Sequence, residues 1–204
     1  MALGTALGTA SDAYELRFDA GRICLDLLAT ATAHPDERFD SLEVLCAWIT
    51  GTGLVPPGTP LAHADVSWLV GFRELRGRIG QLVHGCLAPE PWPSYDIALA
   101  RVNDIALAAP PAPRAVRSED GTLVRRLDHP PECSALLGAI ARDAVELLTD
   151  PVARAGLREC EGDNCPIVYL DTSRGRRRRW CSSEVCGNRE RVARHRRRAA
   201  LARA

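Results

Sequence analysis

Four cysteines toward the C-terminal end constrain this chain more than any other feature. They read Cys160-x4-Cys165-x15-Cys181-x4-Cys186, two close pairs separated by a short spacer. A tetrahedral metal site needs that layout: each pair sits on a tight turn that aims two thiolates at one point, and the spacer brings the turns together. Gly162, Asp163 and Asn164 lie inside the first gap and Pro166 follows it, all of them turn formers. The four-residue gap is wider than the commonest two-residue gap but within the range of ligand spacings. Zinc suits four thiolates best, and an iron–sulfur cluster is the main competitor. The readings without metal are two disulfides or four separate core cysteines. The N-terminal stretch ALGTALGTA lacks the basic region and apolar run of an export signal. A reducing cytoplasm is therefore expected, which argues against disulfides. The polar, Arg-rich neighbourhood argues against a plain core.

The remaining cysteines are of another kind. Cys24, Cys46, Cys86 and Cys133 are single and far apart, and a buried free thiol is simply a small hydrophobe. Nothing pairs one of them with His63, His84 or His129 as thiol–imidazole catalysis would require.

Charge divides the chain where chemistry does. The formal net charge of zero is a cancellation. Residues 1–153 hold 12 Arg and 20 acidic residues, a net of −8; residues 154–204 hold 14 Arg and 6 acidic residues, a net of +8. An acidic body with a basic tail points to nucleic acid or an anionic surface. All 26 basic residues are Arg, the planar fork that suits phosphate and guanine. No stretch has the apolar length of a membrane span.

Periodicity in the body is helical. Phe39, Leu42, Leu45, Cys46 and Ile49 share one face of a helix over 41–50, with Asp40 or Ser41 as cap and Gly51 and Gly53 as stop. A long helix over 62–87 carries Leu69, Phe72, Ile79, Leu82, Val83 and Cys86. Helices are also predicted over 94–109, with Ser94 as cap, and over 132–149, with a short one opening at Asp150-Pro151. Arg114–Leu127 reads as a hairpin around Asp120-Gly121. Arg17–Thr30 suits either a strand or a helix start. Between the cysteine pairs, Ile167–Trp180 reads as a hairpin whose returning arm is Arg176–Trp180, and a helix opens at the second pair. Knuckle, hairpin and helix make a treble-clef-like finger. The expected fold is mainly α with a small β-hairpin: a disordered leader at 1–12, a helical domain at 13–153 and a zinc finger at 157–200.

At Trp180–Arg198, WCSSEVCGNRERVARHRRR, the sequence resembles the CGNR zinc-finger family, whose name Cys186-Gly187-Asn188-Arg189 spells. The preceding Trp180-Cys181-Ser182 and the upstream Asp171-Thr172-Ser173-Arg174 also fit. The body resembles the ABATE domain through Leu25-Asp26-Leu27, Phe72–Leu75 with Arg76, and Asn103-Asp104-Ile105-Ala106. The resemblance implies a stress-induced transcription regulator. It departs from the family at Ala29-Thr30, where Asn-Thr is common, and at Arg191, which keeps the charge of the usual Lys.

These readings fix the expectations. Zn2+ sits on Cys160, Cys165, Cys181 and Cys186. Nucleic acid meets Arg174, Arg176, Arg177, Arg178, Arg179, Arg189, Arg191, Arg194, His195, Arg196, Arg197 and Arg198. DNA is favoured over RNA, because only Tyr169 and Trp180 could stack on bases. Asp26, Arg73, Arg76 and Asn103 are the candidate ligand-binding residues of a body that senses an effector or forms a homodimer. No phosphate loop, nucleophile elbow or His-Glu metal motif points to an enzyme. The expected location is the cytoplasm, at the nucleoid.

Overall fold

The structure, a computed structural model, describes residues 16–31, 37–88 and 94–201, with side chains as far as Arg198. The leader expected at 1–12 lies outside them. In chain order the elements are α1 (Ile23–Leu28), α2 (Leu42–Gly51), α3 (Val66–Leu87), α4 (Tyr95–Ala106), β1 (Pro113–Arg117), β2 (Leu123–Leu127), α5 (Cys133–Thr149), α6 (Pro151–Arg154), β3 (Leu157–Glu159), β4 (Val168–Leu170) and α7 (Cys186–Leu201). The fold is mostly helical with two small antiparallel strand pairs, β1–β2 and β3–β4.

The segment open between strand and helix is helical. The amide of Cys24 donates to the Asp143 carboxylate of α5 at 3.0 Å, and Arg22 pairs with the same carboxylate at 2.8 Å. So α1 takes its N-terminal capping from 119 residues away, a partner no local pattern announces. Ser41 caps α2 by accepting from Val44 N, and Asp65 caps α3 by accepting from Ser67 N at 2.8 Å. Ser94 does not cap α4: its backbone is already helical, at φ −92° and ψ −1°, whereas a capping residue is extended.

α3, α4 and α5 pack together, with α1 and α2 against α3. Phe39, Trp48 and Phe72 meet edge to face at the centre, with centroids 5.7 to 6.4 Å apart. A Cβ at Gly138 would stand 2.6 Å from the Ala108 carbonyl, so α5 approaches the end of α4 only because that position is Gly. The β1–β2 turn is set by Asp120, whose carboxylate accepts from Thr122 N at 3.0 Å, and by Gly121 at φ +85°. No described helix is long and apolar enough to cross a membrane.

The hydrophobic core does not stop at the fingered end. Leu157, Val168, Tyr169 and Leu170 are buried with the helices' apolar side chains. Leu170 N donates to Ala20 O at 2.8 Å, so β4 lies against the segment leading into α1.

One expectation about the finger is corrected. β4 pairs with β3 upstream, Leu157 opposite Leu170, and not with Arg176–Trp180. The returning arm has its polar groups satisfied by side chains. Asp171 accepts from Ser173 N at 2.9 Å and Arg178 N at 3.0 Å, and the Tyr169 hydroxyl donates to Arg178 O at 2.6 Å. Arg176 has a φ of +46°, which breaks any strand there.

Candidate metal centre and nucleic-acid interface

β3 runs directly into Cys160, whose amide extends the ladder by donating to Ile167 O at 3.0 Å. The first knuckle therefore sits at the tip of the β3–β4 hairpin. It closes when Cys165 N donates to Gly162 O at 3.1 Å, and Asn164 takes the left-handed conformation, φ +57°, that the turn requires. The second knuckle is closed by Ser182, whose hydroxyl accepts from Glu184 N and Val185 N and whose carbonyl accepts from Gly187 N. α7 starts there.

The four Sγ atoms lie within 4.8 Å of one another. Cys165 and Cys181 are 3.8 Å apart and Cys181 and Cys186 are 3.6 Å apart. A disulfide would need about 2.0 Å. A tetrahedral ion with bonds of about 2.3 Å puts its sulfurs about 3.8 Å apart. The cluster fits a metal. Amides support it from outside: Gly162 N and Cys181 N donate to Cys160 Sγ at 3.4 and 3.3 Å. A guanidinium also reaches in from the body, with Arg17 Nη2 donating to Cys181 Sγ at 3.6 Å. Sequence reasoning missed Arg17, because 164 residues separate the partners and no local signal marks it.

The thiols are unequal. Hydrogen bonding from Cys181 holds the Cys165 thiol down to about 5, while burial pushes Cys186 up to about 11. Cys181 is pushed far up, first by that same hydrogen bond to Cys165 and then by burial. Four crowded thiols cannot all ionise by themselves, and a dication at their centre relieves that conflict.

The twelve basic residues expected at a nucleic-acid surface fall into two groups. Arg178 is structural: it lies over the Tyr169 ring, 4.8 Å from its centroid, and donates to the carbonyls of Trp180 and Cys181. Arg179 pairs with Glu161 at 2.6 Å and covers the Trp180 ring. Arg191 folds back onto Gly187 O and Ser183 O, each at 3.2 Å. Arg197 pairs with Glu190 at 2.7 Å. By contrast, Arg174, Arg176 and Arg177 beside the knuckles, and Arg189, Arg194, His195, Arg196 and Arg198 on α7, are exposed. Among the described residues their side chains make no hydrogen bond or ion pair.

Of the four candidate ligand-binding residues of the body, Arg73 and Arg76 come together on the Glu37 carboxylate, while Asp26 and Asn103 stand apart from them. Arg76 is buried and grips both carboxylate oxygens of Glu37, one at 2.7 Å, along with Thr30 Oγ1 at 3.1 Å. That contact pulls Glu37 below its ordinary range. Arg73 donates to Phe39 O. Asp26 accepts from Ala20 N at 2.9 Å. Asn103 stands exposed on α4.

A family described as "Putative stress-induced transcription regulator", ABATE, matches residues 21–151, and the CGNR zinc finger matches residues 157–199. No curated protein matches the chain. With most of its length in the first match and its clustered thiols in the second, the chain belongs to the ABATE family and carries a CGNR zinc finger at its C-terminal end.

Proposed function

We propose that this protein is a transcription regulator that holds one zinc ion on Cys160, Cys165, Cys181 and Cys186 and binds duplex DNA through the surface built around it. Zinc is favoured over an iron–sulfur cluster because thiolates within 4.8 Å of one another enclose a single ion. In a cluster of several irons the thiolates are shared out among them and spread apart. The body serves sensing or dimerisation, no catalytic step is assigned, and the site of action is the nucleoid in the cytoplasm.

The observation that carries the reading is a set of seven exposed arginines on one small module that pair with no described residue: Arg174, Arg176, Arg177, Arg189, Arg194, Arg196 and Arg198. Like charges crowded on one helix repel, and phosphate relieves them. Duplex DNA is favoured over single-stranded RNA by the aromatics. Tyr169 is buried under Arg178, and half-buried Trp180 lies under Arg179, so neither offers an open face to a base.

The test is the salt dependence of binding. Five to seven phosphate contacts give a log–log slope of about −4.5 to −6.3. Replacing Arg176 and Arg177 by Ala is expected to make the slope shallower by about 1.8 and to weaken all duplexes alike. Fluorescence anisotropy of the full chain on labelled duplexes at several salt concentrations measures it. A slope near zero, or the same slope in the double variant, contradicts the reading.

A further inference from the structure

α7 carries more than charge. At 100° per residue, Asn188, Val192 and His195 fall on one strip, at positions i, i+4 and i+7. Cys186 is buried at the opposite side, and Glu190 and Ala193 near it are half-buried, so the strip faces directly outward. Arg189 and Arg196 flank it on one side, Arg191 and Arg198 on the other. Val192 is 49% exposed, an aliphatic side chain left in water among guanidinium groups. Asn188 is exposed, and its side-chain amide makes no hydrogen bond to any described residue. Neither residue is used by the fold or the metal cluster.

We propose that this strip reads base edges in the major groove of duplex DNA, while Arg189 and Arg196 on one side and Arg198 on the other hold the two phosphate backbones. The inference rests on the DNA-binding reading above. A helix of about 10–12 Å diameter fits a major groove about 12 Å wide. The seven-residue step from Asn188 to His195 covers about 10.5 Å, the rise of three base pairs. The chemistry of each position assigns its contact. The Asn188 side-chain amide can donate an N–H to adenine N7 while its oxygen accepts from adenine N6–H. The Val192 methyls match the C5-methyl of thymine. The His195 imidazole donates to a purine N7. Arg191, tied to the Gly187 and Ser183 carbonyls, is a positioning residue that fixes the start of the helix.

The full-length, zinc-loaded chain is used to select duplexes from a randomised pool. Wild type, Asn188→Ala and Val192→Ala are then titrated on the selected site and on a scrambled duplex. The expected result is a selected site containing an adenine whose preference Asn188→Ala abolishes. The specific-to-scrambled ratio should fall about 5- to 150-fold, the worth of one bidentate base contact. Affinity for scrambled DNA and the salt slope should stay as in wild type, because no charge is lost; a merely structural asparagine would weaken both duplexes equally. Val192→Ala is expected to relax the preference at a thymine. Selection of an identical site with an unchanged ratio in both variants overturns the inference. Binding without enrichment of any site overturns it too, and leaves the DNA-binding reading standing. Failure to bind any duplex overturns that reading itself.

Discussion

Asp26 lies in α1 with 8% of its surface exposed and its carboxylate on the Ala20 amide. Burial raises its pKa from 3.8 to about 6, and the Ala20 hydrogen bond opposes that only in part. The folded state thus favours the protonated acid. The stability this gives is complete below pH 3.8 and is lost as pH rises through about 6. Two pKa units correspond to about 3 kcal/mol. Asp26→Asn stays neutral and keeps an oxygen for Ala20 N–H. Its advantage over wild type is expected to be about 3 kcal/mol at pH 8 and about half that at pH 5. Urea unfolding at the two pH values measures it, and an advantage independent of pH contradicts it. At this scale the sequence was partly legible. The four clustered cysteines were plain because two knuckles repeat one local pattern. Which arginines are free was not, since Arg178, Arg179 and Arg191 look like their neighbours until Tyr169, Glu161 and the Ser183 carbonyl come into reach. For the same reason Arg76 read as a pocket residue: its partner Glu37 lies in a loop 39 residues away.

At the scale of elements, periodicity gave α2, α3, α4, α5 and the β1–β2 hairpin, because each buries one regular face or turns on Asp120-Gly121. The β3–β4 pairing was hidden. β3 has only three residues, and its partner lies beyond a knuckle whose closure is not encoded in strand pattern. That pairing has a consequence for stability. β4 presses Leu170 toward Gly21 and bonds Ala20, so the finger's hairpin forms part of the wall behind α1. Leu170→Ala removes a buried side chain at that seam and is expected to cost about 2–4 kcal/mol. Because body and hairpin share one core, far-UV circular dichroism in urea should report a single transition shifted to lower denaturant. Two separate transitions, with the body's unmoved, would contradict a shared core.

On the scale of the whole molecule, an acidic helical body and a basic metal module are joined through apolar packing at β3–β4 and through Arg17 on Cys181. α7 has few apolar residues, and among its described residues none beyond Gly187 is buried, so its place depends on the second knuckle. The metal would therefore organise the proposed DNA-binding surface rather than merely accompany it. The most direct measurement is anisotropy of the full chain on a labelled duplex before chelation, after chelation, and after zinc is returned. The expected result is a loss of affinity of at least about tenfold on chelation, the scale of losing a few phosphate contacts, with recovery when zinc is restored. Affinity unchanged by removal of the metal would contradict it.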